Sequence, residues 1–148
     1  MFVRSSFLAL AFAATAAPVA AQAPEVEYLQ ANPRSTRPFS DAVRVGHILY
    51  LSGQIGTDST GRVVAGGIGP ETRQTLENIK AVLERNGSSM DRVVKCTVFL
   101  QDIADYAAMN QVYATFFPKD PPARSTVAGS GLALGARVEI ECMAVAGT

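Results

Sequence analysis

The sequence predicts an α+β domain in which a single mixed β-sheet carries two helices on one face. Three observations lead to this prediction: a hairpin pattern over residues 40–55, two amphipathic helical patterns over 70–86 and 105–117, and two strand patterns over 91–100 and 137–145. Strands and helices in this order form one sheet with the helices packed on it. A length of 148 residues provides for one ordinary domain.

The first 23 residues are predicted to be a secretory signal peptide. Arg4 precedes an apolar run over residues 7–17, and Ala21-Gln22-Ala23 has the small-x-small form that signal peptidase requires. The apolar run is too short to span about 30 Å of hydrocarbon, which disfavours a membrane anchor. We therefore expect cleavage after Ala23 and a periplasmic or secreted protein that is not attached to a membrane afterwards.

The residues that follow are predicted to form a lead-in and then a hairpin. Residues 24–38 contain three prolines and little periodicity, so we expect an extended segment, with the domain proper over 39–148. Residues 40–45 and 48–55 are the two expected strands of the hairpin, on either side of a Gly46-His47 turn.

Ser52-Gly53 interrupts the second strand of this hairpin. A glycine inside a strand usually marks a bulge or a place where another backbone or a ligand comes close, and the alternative is a strand that ends at Leu51. Residues 56–69 are a glycine-rich loop, with a short extended piece at 62–64, and the loop lacks the Lys-Ser/Thr that completes a phosphate-binding loop.

Two helices are expected, each with one apolar stripe. The first starts at Pro70 and ends at Asn86-Gly87, and the second covers 105–117 and stops before Pro118. We predict that both stripes are core: Leu76, Ile79, Val82 and Leu83 in the first helix, and Tyr106, Met109, Tyr113, Phe116 and Phe117 in the second.

The later strands predict a sheet with one bare face. Residues 124–127 are a short extended piece, and 129–135 form a glycine-rich connection to the last strand. Alternation places Val94, Cys96, Val98 and Leu100 towards the helices, and on the other face Lys95, Thr97 and Phe99 beside Glu139, Glu141 and Met143. A half-apolar sheet face normally becomes an interface, so we expect an oligomer.

Charge and cysteine usage exclude several classes of function. Thirteen basic and thirteen acidic residues give a formal net charge of zero, which argues against nucleic acid as a partner. Cys96, Cys142 and His47 lack the paired spacing of a metal site. Export would permit a disulfide, but both cysteines fall on apolar strand faces where a free thiol is a small inert hydrophobe, so the sequence favours free thiols and leaves the bridge open.

Few residues are candidates for a catalytic role. A single histidine in a predicted turn excludes a Ser-His-Asp arrangement. Arg124 after a proline pair and Glu139 on the last strand are the main candidates, with Ser52 and Asn110 as lesser ones. Each has an ordinary alternative: Arg124 could be a surface charge, and Glu139 could pair with Arg137 or with a neighbouring subunit.

Six sequence segments together resemble the RidA (YjgF) family of imine deaminases, over nearly the whole stretch from Phe39 to Val145. The most specific is the Pro-Ala-Arg-Ser signature at residues 122–125, followed by the closing strand. The matching segments are Leu51-Ser52-Gly53-Gln54-Ile55, residues 72–79, 93–100, 109–117 and 122–127, and Val138-Glu139-Ile140-Glu141.

This resemblance implies a trimer of chorismate-mutase-like domains, with the bare sheet faces around a central barrel and three sites between subunits. It also implies hydrolysis of imines such as iminopropanoate, and of enamines such as aminoacrylate, to 2-oxo acids and ammonia. No cofactor or metal is implied.

The resemblance also assigns roles to individual residues. Arg124 would grip the substrate's carboxylate, and Glu139 would hold and polarise the attacking water. Ser52 and Gly53 would line the cleft, Asn110 would help to hold it together, and the carbonyl of Thr126 would accept from the imine nitrogen.

The sequence departs from the family pattern in three places. Phe39 stands where well-known members carry tyrosine, and it lacks the hydroxyl, which would either weaken the activity or shift the preference towards larger and more apolar imines. Thr126 stands where a cysteine is common, and the loop between Phe117 and Arg124 is shorter.

Two other functions remain in view. One is a non-catalytic trimer that binds small carboxylates or protects other proteins, although binding alone would not need Glu139. The other, RNA cleavage, is disfavoured by the neutral charge and the single histidine. The natural substrate is left open.

Overall fold

The structure is a computed structural model that describes residues 23–147, so the expected signal peptide lies outside the described residues except for Ala23. Within 23–147, no helix is both long and apolar enough to cross a membrane. The elements are β1 (Val26–Leu29), β2 (Ala42–Val45), β3 (Ile48–Leu51), β4 (Gln54–Ile55), α1 (Ile68–Arg85), β5 (Val93–Leu100), α2 (Tyr106–Phe116), β6 (Ala123–Ala128) and β7 (Val138–Val145), with short 3₁₀ turns before β5, α2 and β7.

The strands form one mixed sheet in the order β1-β2-β3-β7-β5-β6, and β4 also pairs with β7. All pairs are antiparallel except β5 with β6, which run parallel because α2 connects them. The predicted fold class, a single mixed sheet with two helices, is confirmed.

The core lies between the two helices and one face of the sheet. Apolar side chains at helical spacing in α1 and α2 meet the alternate residues of β5 and β7, and complete burial of each such side chain stabilises the fold by about 1.5–3 kcal/mol. The fully buried members include Leu76, Ile79, Leu83, Met109, Val98, Leu100, Val138 and Ile140.

No helix formed by residues 23–147 packs on the opposite face of the sheet. The six side chains predicted there are half-buried or exposed in the described chain, and Tyr50 from β3 joins them at 43% exposure. Carboxylates and a lysine alternate on this face with Phe99 and Met143. The face is therefore amphipathic, as the strand alternation predicts.

Two details of the strands differ from the prediction. Residues 26–29, inside the expected lead-in, form the edge strand β1, which pairs with β2 and carries an ion pair between Glu27 and Arg44 at 3.3 Å. A strand of four residues flanked by prolines is too short to give a clear alternating pattern in the sequence. Val94 does not face the helices: a shift in register between Val93 and Lys95 leaves Val94 47% exposed and buries Val93.

The helices also differ slightly from the prediction. Helix α1 begins at Ile68, two residues before Pro70, because Gly67 with a φ of 84° turns the chain into it. In the second predicted stripe, Met109 and Tyr113 of α2 and Phe117 directly after it are core, but Tyr106 is 41% exposed. Tyr106 is the first residue of α2, and its ring contacts Arg124 of the edge strand β6 and does not enter the core.

The expectation of free thiols is wrong. Cys96 and Cys142 stand directly opposite each other on β5 and β7, with Cα atoms 4.1 Å apart, and they form a disulfide. Sequence alternation shows that both face the core, but only the register places them in one pair. The bridge spans 46 residues, and closing a loop of that length in the unfolded chain corresponds to about 4 kcal/mol of stabilisation.

Candidate functional site

Glu139 and Gly53 are held together by the pairing of β4 with β7. Ile55 pairs with Glu139 and Gln54 with Ile140, which brings the turn before β4 against the Glu139 side chain. A Cβ on residue 53 would overlap Glu139 Oε1, so only glycine leaves the carboxylate where it is. The interruption at Ser52-Gly53 is thus both a strand end at Leu51 and a close approach.

Ser52 and Phe39 lie beside this carboxylate segment and are fixed by local contacts. The Ser52 hydroxyl donates to the Ser40 carbonyl oxygen at 2.6 Å, and the Ser52 backbone N–H donates to the Asp41 carbonyl oxygen at 3.1 Å. Phe39 is half exposed, and the guanidinium of Arg37 lies 5.1 Å from its ring centroid. Ser52 therefore ties the Phe39 segment to the end of β3, and its hydroxyl proton is already used.

The environment of Glu139 suits a carboxyl group that exchanges protons. Partial burial, and secondly the negative charge of Glu141 two residues along the same face, raise the pKa of Glu139. Arg137 does not pair with the Glu139 carboxylate. Its guanidinium pairs with Asp105 at 2.8 Å, and its backbone N–H donates to the Glu71 carboxylate at 2.8 Å.

Arg124 lies on the other face of the sheet. It pairs with Cys96 in the parallel register of β5 and β6, so its side chain points to the helix side. Its Nη2 donates to the Tyr106 hydroxyl at 3.1 Å, and its guanidinium carbon lies 4.5 Å from the centroid of the Tyr113 ring. Within residues 23–147 no carboxylate pairs with Arg124, so two aromatic rings and the Tyr106 hydroxyl hold this cation.

An open cleft surrounds Arg124. Asn110, Thr126, Phe117 and the Pro121-Pro122 pair line it together with both tyrosines. Tyr113 is buried, and its hydroxyl has no hydrogen-bond partner among the described residues. Burial raises the pKa of Tyr113 to about 12 against the opposing charge of Arg124, so this phenol stays protonated.

The structure therefore divides the expected site residues into two groups. Ser52, Gly53 and Glu139 form one, to which the Ser52–Ser40 hydrogen bond ties the segment of Phe39, and Asn110, Arg124 and Thr126 form the other. Glu139 shares the bare face with Phe99, while Arg124 shares the helix face with Cys96. One chain alone cannot bring Arg124 and Glu139 to a single small molecule.

Sequence reasoning missed the two tyrosines that hold Arg124. The sequence pattern predicts Tyr106 and Tyr113 only as members of the apolar core stripe. In the structure their ring centroids also lie 5.6 Å and 4.5 Å from the Arg124 guanidinium carbon. A signal was present: Tyr106, Asn110 and Tyr113 follow the i, i+4, i+7 spacing of one helix face. Nothing in that spacing says that the face meets Arg124.

The described residues offer no alternative site of the metal or histidine type. Between residues 23 and 147, no three or more His, Cys, Asp or Glu side chains come together as a metal site would require. His47 lies in the β2–β3 turn, where its carbonyl accepts from the backbone N–H of Ala146 at 2.8 Å.

Comparison with known proteins gives consistent similarities. The sequence profile described as Endoribonuclease L-PSP matches residues 29–146. A RutC family protein of Pyrococcus horikoshii is 45% identical over 121 residues, covering 81% of this chain and 96% of the relative. The mouse 2-iminobutanoate/2-iminopropanoate deaminase is 41% identical over 116 residues, covering 78% and 86%. The crystal structure of the Escherichia coli YjgF gene product superposes with a TM-score of 0.74 at 34% identity, covering 80% of this chain and 98% of that one.

The influence of Glu141 on Glu139 can be measured directly. Replacing Glu141 by Gln removes a like charge, so the pKa of Glu139 should fall, but only part of the way because burial is the larger cause. Carbon-detected NMR titration of the Glu139 carboxyl carbon measures this, with Glu77→Gln on the exposed side of α1 as control. An unchanged or raised Glu139 pKa in the Glu141→Gln variant would contradict the account.

Proposed function

The chain belongs to the Endoribonuclease L-PSP (YjgF/RidA) family, and on that premise we propose that it hydrolyses 2-imino acids, and the enamines that tautomerise to them, to 2-oxo acids and ammonia. The main support for the proposal is Arg124. This cation lies at an open cleft and has no carboxylate partner among the described residues. A relative named for this activity, at 41% identity, supports the choice of reaction.

Arg124 sets the substrate class in this proposal. Its planar guanidinium binds a carboxylate through two parallel N–H donors, which lysine cannot reproduce. A substrate anchored there presents its imine carbon away from α2. Asn110 and Thr126 line the same cleft. In the proposed reaction the Thr126 carbonyl would accept from the imine N–H, as the family resemblance implies.

Glu139 acts on water. The carboxylate accepts a proton as the water oxygen bonds to the imine carbon, and it returns that proton to the imine nitrogen to give a carbinolamine. Glu139 then moves the hydroxyl proton of the carbinolamine to its amino group, the carbon–nitrogen bond breaks, ammonia leaves, and the hydroxyl oxygen becomes the carbonyl oxygen of the 2-oxo acid. The raised pKa of Glu139 brings it closer to neutral pH, where a group both accepts and returns protons effectively. Imines already hydrolyse in water, so positioning is the main contribution of the protein.

The reaction needs two copies of the chain, because Arg124 and Glu139 lie on opposite faces of one sheet. We propose a homotrimer in which the bare sheet faces surround a central barrel. The β6 edge of one chain then lies beside the bare face of the next, and each site takes Arg124 from one chain and Glu139 from its neighbour. The half-apolar character of that face, with Phe99, Met143 and Tyr50 among charged residues, supports an interface there.

Phe39 bears on substrate preference. It is half exposed in the Glu139 group and has no hydroxyl to donate, so it adds apolar surface to the site. We propose that the chain accepts imino acids with larger apolar side chains than iminopropanoate.

A non-catalytic alternative has one observation in its favour. The Arg124 cleft is complete within a single chain, so it could bind a small carboxylate without Glu139. In that function, replacing Glu139 would leave binding and any protection of other proteins unchanged.

We also propose that the chain is exported to the periplasm or the medium after cleavage behind Ala23. The disulfide between Cys96 and Cys142 supports an oxidising compartment. Mass spectrometry of protein recovered from that compartment should give a chain starting at Pro24 that alkylates at neither cysteine until it is reduced. A chain that retains Met1, or whose thiols react without reduction, would contradict the proposal.

Imine hydrolysis is tested by generating iminopropanoate and larger imino acids in situ with an amino-acid oxidase. We expect hydrolysis above background by the chain from Pro24, and loss of kcat/KM on the order of 100-fold in Arg124→Ala. Arg62→Ala, an exposed loop arginine outside both groups, is the matched control. Equal rates with and without the protein would favour the binding alternative.

The shared site is tested by complementation. Arg124→Ala and Glu139→Gln should each be inactive alone, but co-expression should restore sites that take both native residues from different chains. In every trimer that contains both variants, one of the three sites takes both native residues, so the doubly tagged trimers should reach about one third of the native activity. The activity of the co-purified mixture, separated by two affinity tags, measures this. Failure to recover activity in assembled mixed trimers would show that Arg124 and Glu139 do not act across subunits.

A further inference from the structure

Tyr106 presents a hydroxyl group beside Arg124 that the proposed reaction does not use. Its oxygen lies 3.1 Å from Arg124 Nη2, and its ring centroid is 5.6 Å from the guanidinium carbon. Tyr106 is 41% exposed at the start of α2 and lines the open cleft, unlike the buried Tyr113. Tyr106 is thus the accessible one of the two aromatic supports of Arg124.

The direction of the hydrogen bond between these two residues follows from their chemistry. Arginine carries only donors, so the Tyr106 oxygen must be the acceptor in this contact. A phenol also has one proton, and in the described chain the Tyr106 hydroxyl donates to no other residue. The proton is therefore available to a ligand in the cleft.

We infer that Tyr106 is a specificity-determining residue whose hydroxyl donates to the carboxylate that Arg124 binds. A carboxylate oxygen on the Nη2 side of the guanidinium is within reach of the hydroxyl, since Nη2 and the hydroxyl oxygen are only 3.1 Å apart. Tyr113 covers one face of the guanidinium at 4.5 Å, which leaves its edge to the ligand. The substrate class is a carboxylate held by three donors, two from Arg124 and one from Tyr106.

This arrangement takes its reaction from the proposed function, but carboxylate binding can be measured without catalysis. Tyr106→Phe removes one oxygen and keeps the ring on Arg124. Tyr28→Phe is the matched control: Tyr28 is 74% exposed on β1, at the opposite edge of the sheet from β6. The probe is 2-oxobutanoate, titrated into each protein and followed by NMR chemical shifts.

We expect Tyr106→Phe to weaken 2-oxobutanoate binding roughly tenfold, the effect of losing one hydrogen bond to a charged acceptor. Tyr28→Phe should bind as the native protein does. In imine hydrolysis, Tyr106→Phe should raise KM by a similar factor with kcat little changed, because the contact is the same in the ground and transition states. If Tyr106 served folding alone, its replacement would not raise KM while leaving kcat nearly unchanged.

The binding and kinetic measurements separate the two hypotheses. If the native protein binds 2-oxobutanoate and Tyr106→Phe weakens it, the role of Tyr106 stands even where no imine is hydrolysed, and only the proposed function fails. Native affinity in Tyr106→Phe, no binding of 2-oxobutanoate by the native protein, or a fall in kcat with KM unchanged would each overturn the inference.

Discussion

The antiparallel pairing of β5 with β7 is the constraint on which the rest of the structure depends. Its register places Cys96 opposite Cys142 and Phe99 opposite Glu139. The first pair lies on the helix side, where it closes a disulfide inside the core, and the second lies on the bare face. Because side chains alternate along a strand, a slip of one residue would exchange the two faces. The core, the bridge and the position of Glu139 therefore depend on one ladder of hydrogen bonds.

That ladder also explains why the candidate site is divided. β6 adds to β5 in parallel, and its register places Arg124 beside Cys96 on the helix face. Glu139 and Arg124 are thus separated by the sheet itself, and no side-chain motion in one chain would unite them. A site built from both needs the edge of one sheet to meet the bare face of another. The oligomer would then be part of the chemistry and not only of the stability.

Aromatic rings and a phenol hold Arg124 in place of ion pairs, which would neutralise its charge. An exposed ion pair contributes about 0–1 kcal/mol to stability, so little is lost by leaving a cation without one. Cation–π contacts fix the guanidinium and keep its donors free. Gly53 has the matching role for Glu139, since it leaves room for a carboxylate that burial and Glu141 make harder to ionise. Each group is positioned by neighbours that do not neutralise its charge.

The sequence by itself determined the elements and their faces. Apolar spacing of 3.6 and 2 residues is local, so both helices, the strands and the burial of Leu76 or Val98 could be predicted from it. The segments around Ser52 and Arg124 identified the family for the same reason, because they are continuous in the chain. The tertiary structure alone shows which residues meet: the Cys96–Cys142 bridge, the close approach of Glu139 to Gly53 that a Cβ would displace, and the tyrosines around Arg124. Register and the packing of a helix on an edge strand are relations between distant segments, and local periodicity carries no information about either.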